Sequence, residues 1–432
     1  MTSLAADDGW RRALRRSGAL AGRGLEAVGK FLLYALAARE LGAVDAGRFF
    51  LCLGAILMIA TLARLGLERP LTRHVAAERA VGAYRLARQA MLRGGLVVFA
   101  VSVAAGVVLW SLSPIIARLG FHQPELQAPL RAAALVLPAQ NMAYVAAYVL
   151  IGLDRAGAAQ MVMNAVAPCF LVVALLAVRL TAVDLLHLYA CAYAGCALLG
   201  GAIIMREAWT GDAPIGASHE PLGSLWGAGR TLLPVELSQA ALLSLPTMLV
   251  GVFAGAVEVS AFSIASRVSM LVATIVISIG AMAAPGFARH HRRRAFAELR
   301  MDNQRARRAA YALCLPAVIG MTVFAWPVLG AMHAPLPGAP LCLWILLVGQ
   351  LAFCLLPCQD TLLAMTGHAT VLRRLALVQV AACTIGCLLL VPPLGGVGAA
   401  IASSAIWTFG AIGCALAARK LVWAEANGAL AA

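Results

Sequence analysis

Charge is what this chain has least of. Asp, Glu, Lys and Arg make up 12% of its 432 residues, against about a quarter in a typical soluble domain. With so little charge and 62% apolar residues, it cannot coat an aqueous globule, so lipid has to be its main solvent. Acids are scarcer than bases, 19 against 34, for a formal net charge of +15. In a soluble protein that excess would suggest nucleic acid. Here the bases follow a membrane pattern, and no nucleic-acid partner is expected. No C-x-x-C occurs among the eleven cysteines, and most lie in apolar stretches where cysteine serves as a small hydrophobe. A disulfide framework is therefore not expected. Neither a P-loop nor a hydrolytic zinc motif is present, so the chemistry those motifs support is excluded and no cofactor or metal is expected. The amino-terminal stretch does not read as a cleavable signal peptide. Asp7 and Asp8 precede Arg11, Arg12, Arg15 and Arg16, and no small-residue cleavage site follows a short apolar core.

Long apolar runs are what the chain does have. They cover residues 18–38, 46–66, 94–113, 131–151, 158–179, 184–204, 231–253, 259–284, 309–331, 341–366, 375–391 and 399–418. Each is near the roughly 20 residues needed to cross a bilayer as a helix. The expected fold is an all-α polytopic membrane protein of about twelve transmembrane helices. Pro138, Pro168, Pro234, Pro246, Pro316, Pro327 and Pro357 fall inside these runs. Each frees a backbone carbonyl, which membrane helices tolerate beside other protein or a wet cavity. That favours a transporter-like bundle over a simple scaffold.

Orientation follows from Lys and Arg in the connections. With the amino terminus inside, inner segments hold 25 of these residues and outer connections five. Both termini are then expected in the cytoplasm of a cell with a cytoplasmic (inner) membrane. The chain also repeats itself. Gly42-Ala43-Val44-Asp45 matches Gly255-Ala256-Val257-Glu258, Phe49 matches Phe262, and Ala60-Thr61 matches Ala273-Thr274, all at an offset of 213. An amino-terminal six-helix lobe over 1–204, a cytoplasmic linker over 205–230 and a carboxy-terminal six-helix lobe over 231–432 follow. Two like-facing lobes should be related by a pseudo-two-fold along the membrane normal, with a site near mid-membrane.

Ionisable residues inside the membrane are costly and should face a partner or a cavity. Arg23, Glu26 and Lys30 share a stripe about 60° wide on the first span, and Glu26 and Lys30 form an i, i+4 pair. This is either a packing ion pair or a cavity lining. Glu236 and Gln239 lie one turn apart between Pro234 and Pro246, and Gln239 is the repeat equivalent of Glu26. Arg267 has Ser260, Ser263, Thr274 and Ser278 within about 40° on the helical wheel, which suggests a water-filled or anion-lined cavity. Asp360 and Gln359 follow Pro357 toward the inner end of the tenth span. Gln140 and Asn141, and His187, read as interhelical hydrogen-bond partners. The substrate-binding candidates are Arg23, Glu26, Lys30, Glu236, Gln239, Arg267 and Asp360. The His290–Arg294 run reads as a membrane-surface anchor.

Two stretches, Leu41-Gly42-Ala43-Val44-Asp45-Ala46-Gly47-Arg48-Phe49 and Arg64-Leu65-Gly66-Leu67-Glu68-Arg69-Pro70-Leu71-Thr72-Arg73, resemble the opening of Wzx-type polysaccharide flippases. These belong to the multidrug/oligosaccharidyl-lipid/polysaccharide exporter superfamily. Gly152-Leu153-Asp154-Arg155 after the fourth span fits as well. The resemblance implies a transporter, not an enzyme, that moves a lipid-linked oligosaccharide from the inner to the outer leaflet by alternating access. It implies the lipid-linked substrate and membrane lipids as partners, and admits a polysaccharide polymerase and export machinery. Arg23, Lys30 and Arg267 would then meet the phosphates, while Glu26, Glu236 and Asp360 would pair those cations or carry a coupling ion. A cation-coupled multidrug antiporter of the same superfamily is the first alternative, but would favour an acidic, aromatic-rich cavity. A membrane glycan polymerase or ligase is the second. It would need a long outer loop, and the longest here spans 114–130.

Overall fold

The computed structural model describes the backbone of residues 2–80, 82–208, 223–331 and 338–424, with side chains beginning at Leu25. Every regular element among them is helical. In chain order they are α1 (Thr2–Ala63), α2 (Glu68–Ala80), α3 (Tyr84–Ile115), α4 (Gln127–Gly152), α5 (Ala156–Gln160), α6 (Val166–Ala177) and α7 (Ala182–Ala208). Then come α8 (Gly223–Phe253), α9 (Gly255–Arg292), α10 (Phe296–Val323), α11 (Ala325–Ala331), α12 (Ala339–Leu355), α13 (Gln359–Met365) and α14 (Ala369–Ala418).

Two of these helices are hairpins. Within α1, Gly42 leaves helical geometry at φ 75°, ψ 169°. The rings of Tyr34 and Phe50 stack with centroids 5.1 Å apart. On a straight helix their 16-residue separation would be about 24 Å, so the chain doubles back at Gly42. Within α14 the break is Gly395, at φ 57°, ψ −135°, just after Pro392 and Pro393. There the Gln379 side-chain amide donates to the Ile406 carbonyl at 3.2 Å, across what would be about 40 Å of straight helix.

Among the described residues eight helices are long and apolar enough to cross a membrane, and α12 with α13, a pair bent by 46°, is a ninth when counted as one broken span. The α1 and α14 hairpins each supply two passages. α10 completes the set, with an Arg-rich first half, Arg300 to Arg308, followed by an apolar second half. α5 and α6 make one passage, joined by a π-helical turn over Met161–Ala165. Twelve passages result among the described residues, as the apolar runs predicted. Outward-facing Leu96, Leu198, Ile319 and Leu389 are more than half exposed, as lipid-facing positions should be.

The chain forms two compact units, Met1–Ala240 and Ala241–Ala432. Their border falls inside α8, between Pro234 and Pro246; of the expected linker over 205–230, residues 209–222 lie outside the described residues. The first half of α8 packs into the first unit. Leu225 joins a buried cluster with Leu71, Val75, Ala90, Val149 and Leu153. Gly66 lies so close to α8 that a Cβ there would be 2.7 Å from the Leu233 nitrogen. In the second unit, Phe287, Phe296, Leu299, Leu362 and Val422 knit α9, α10, α13 and the π-helical turn after α14, Arg419–Trp423, together. The 213-residue repeat is visible in the backbone: Gly42 and Gly255 both have positive φ, 75° and 86°. Phe49 and Phe262 are both buried.

Candidate functional site

In the first unit the structure brings Glu26 and Lys30 together and adds two partners from the fifth span. Lys30 Nζ donates to Glu26 Oε1 at 2.7 Å and to Asn164 Oδ1 at 3.1 Å. Gln160 Nε2 donates to the other Glu26 oxygen. The pairs 26/160 and 30/164 are each 134 residues apart, so two parallel helices meet rung by rung, one turn apart. Gln160 ends α5 and Asn164 sits in the π-helical turn that follows, a distortion often found at functional sites. Lys30 remains 39% exposed and Glu26 23%, so the pair is reachable and not sealed in packing. Two of the three ammonium donors of Lys30 are engaged by Glu26 and Asn164. Gln160 and Asn164 escaped the sequence reading, although a polar i, i+4 pair inside an apolar run was a usable signal. The Arg23 side chain lies outside the described residues.

A second polar cluster sits at the turn between α1 and α2. Arg64 donates to Glu68 Oε1 at 2.6 Å, Asn141 Oδ1 at 3.0 Å and Thr61 Oγ1 at 2.9 Å. Its guanidinium also covers the Tyr144 ring at 4.9 Å. Asn141 passes the network on to Ser102 at 2.8 Å and to the Ala60 carbonyl at 3.2 Å. Asn141 is thus an interhelical hydrogen-bond partner, whereas His187 is exposed on α7. Arg64 and Glu68 are both buried, which makes this cluster structural. One residue on, exposed Arg69 pairs with Glu236 of α8 at 3.0 Å. Gln239, though one turn from Glu236, is exposed. The repeat therefore does not give Gln239 the surroundings of Glu26.

In the second unit Arg267 is half-buried on α9, below buried Ser260 and Ser263. The hydroxyls of Ser260 and Ser263, the Gln350 carbonyl oxygen and the Ser403 hydroxyl are buried without a hydrogen bond among the described residues. Buried polar atoms of this kind call for a partner. They lie on α9, α12 and α14, three helices in mutual contact. Gly349 abuts Ser404, and Gly396 abuts Phe262. Lower on α9, Thr274 and Ser278 bond instead to carbonyls of their own helix, Met270 at 3.0 Å and Thr274 at 2.7 Å. Asp360 is half-buried just past the break between α12 and α13, where Cys358 has a left-handed backbone at φ 60°. Gln359 Nε2 donates to the Pro357 carbonyl at 3.0 Å and reaches Asn303 Oδ1 at 3.5 Å. Broken backbone inside a span is a recurring feature of transporter sites.

Residues 96–334 match a family profile described as polysaccharide biosynthesis protein. No curated protein sequence is a significant match. Solved structures share the fold at low identity. An inward-facing multidrug resistance MATE family transporter of the MOP superfamily aligns with TM-score 0.75 at 16% identity, covering 94% of this chain and 98% of that one. The lipid II flippase MurJ, in an inward closed conformation, aligns with TM-score 0.71 at 10% identity, covering 94% and 87%. A MOP superfamily transporter from Pyrococcus furiosus, described as having a binding pocket of reverse polarity that suggests a different function, aligns with TM-score 0.62 at 16% identity. It covers 94% of each chain.

Proposed function

The chain belongs to the polysaccharide biosynthesis protein family, and we propose that it is a transporter of the MOP superfamily that flips a lipid-linked oligosaccharide. The direction is from the inner to the outer leaflet of the cytoplasmic membrane, by alternating access, with both termini cytoplasmic. The observation that carries this reading is Lys30. It is a cation placed inside a span, over a third exposed, and held in position by Glu26 and Asn164.

A lipid-linked sugar keeps its tail in hydrocarbon but must carry phosphates and a polar head across it. A held ammonium can offer a charge-assisted hydrogen bond to such a phosphate, and Arg267 in the second unit can do the same. In the empty state Glu26 neutralises Lys30, which lowers the cost of keeping the charge in the membrane. Gln160 and Asn164 hold both members in place, a positioning role. Glu236 and Asp360 are candidates for a coupling ion, and Gln239 for head-group contact. The alternative, cation-coupled multidrug antiport, is favoured by the MATE neighbours. A fixed cation suits a cationic drug poorly, since like charges repel across a low-dielectric site.

The test is genetic. Lys30→Ala and Arg267→Ala are expected to cut export of surface polysaccharide sharply, with the protein still in the membrane. Lys30→Arg should retain part of the function. Normal export in both alanine strains would refute the cationic site. Drug resistance conferred by the intact protein, without any effect of its deletion on polysaccharide, would favour the antiporter.

A further inference from the structure

The Arg-rich end of the first unit carries a groove that the flipping reading does not use. Its larger part, about 210 Å³, is lined by Arg69, Arg73, Leu225, Ala228 and Leu232. A smaller part of about 50 Å³ shares Leu225 and adds Leu67, Leu71, Arg93 and Trp226. α2, the start of α3 and the start of α8 form its walls. The basic side chains lining the two parts are Arg69, Arg73, Arg93 and His74, and none of the lining residues is a carboxylate. Glu236 takes one contact from Arg69, which still stays 70% exposed. The floor is apolar and continuous with the Leu71–Leu225 cluster.

The level of the groove in the membrane can be read from α3. Arg85, Arg88 and Arg93 are exposed on its first turns, and exposed Leu96 and Phe99 follow directly. That change from Arg to lipid-facing apolar residues marks the boundary between head groups and hydrocarbon. Trp226, partly exposed on the groove wall, belongs at the same depth, where amphipathic aromatic rings concentrate.

We propose that this groove is a binding site for an anionic phospholipid, independent of the transported substrate. The phosphate sits among Arg69, Arg73 and Arg93, and the start of an acyl chain lies over Leu225 and Leu232. Charge complementarity selects the anion, because guanidinium forks match phosphate oxygens in pairs. Position selects the lipid, because the groove opens where head groups lie. Bound there, the lipid would bridge α2 and α8 beside the Arg69–Glu236 pair, and so brace the first half of α8 against the first unit.

Native mass spectrometry of the full chain in detergent tests this, with phosphatidylglycerol or phosphatidylcholine added. Phosphatidylglycerol adducts should dominate on the wild type. Arg73→Gln/Arg93→Gln should reduce them about tenfold or more, given roughly 1 kcal/mol per basic residue at a lipid surface. Arg85→Gln/Arg88→Gln removes equal charge outside the groove and should reduce them far less. Should the first double variant fold poorly, single Arg73→Gln is read against single Arg85→Gln. Equal binding of the two lipids, equal loss in the control pair, or unchanged adducts in the groove variant would each overturn the proposal. So would a dimer mass that replaces the lipid adducts, which would assign the groove to a second copy of the chain.

Discussion

A guanidinium out of water costs several kcal/mol unless its donors are met, and breaking a buried pair typically costs about 3–5 kcal/mol. Arg64 meets that condition with Glu68, Asn141 and Thr61. Removing it would leave the Glu68 carboxylate buried with no cation beside it. Arg64→Ala is therefore expected to lower stability by about 3 kcal/mol or more, read as a fall in thermal midpoint in detergent. Arg64→Met/Glu68→Leu should recover much of the loss, because it removes both charges. A single variant as stable as the wild type would show that the pair is not bearing on the fold. Lys30 is a different case. It is more exposed, so its removal should show in transport before it shows in stability.

Helices in lipid gain no hydrophobic drive toward each other, so close packing decides which elements stay together. α8 shows this at one point of contact. Gly66 has φ 67° and its absent Cβ would be 2.7 Å from the Leu233 nitrogen. Gly66→Ala thus incurs backbone strain of about 1–3 kcal/mol and pushes α8 away as well. A marked fall in thermal midpoint is expected, together with exposure of a cysteine introduced at Leu233 to thiol reagents. Gly227 on the same helix has nothing within 4 Å of its Cβ position. Gly227→Ala should be neutral, or stabilising by roughly 0.5–1 kcal/mol through helix propensity. If both substitutions behave alike, the contact of the α1–α2 turn with α8 is not what holds the first half of this span.

The whole molecule is organised by an asymmetry of charge. The connections on one side of the twelve passages hold 25 Lys and Arg residues against five on the other, and such bias sets the direction of insertion. The structure ties the basic α9–α10 turn down locally: His290 and Arg305 both approach Asp302, at 3.5 and 3.6 Å. In the first unit Arg48 pairs with Asp45 at 2.9 Å and Glu125 at 3.1 Å. Single cysteines placed at Arg118 and at Arg293 are expected to react with a membrane-impermeant thiol reagent from opposite sides, Arg118 from outside intact cells and Arg293 only after lysis. Labelling of both from one side would break the topology and the even number of passages with it.

The passages were legible in the residues alone because insertion into lipid is decided segment by segment. Each run of apolar residues carries its own transfer free energy, and each connection its own charge. The repeated motif at Gly42 and Gly255 was legible for the same local reason, and the structure adds that both glycines have positive φ. Pairing is another matter. That Glu26 and Lys30 would find Gln160 and Asn164, each 134 residues away, and that Glu236 would find Arg69 rather than Gln239, depends on which helices lie side by side. So does the division of α8 between two compact units, and so does the groove where three arginines meet an apolar floor. No hydrophobic period records those choices, because in lipid every apolar face is equally well solvated and only the fit between helices selects its neighbour.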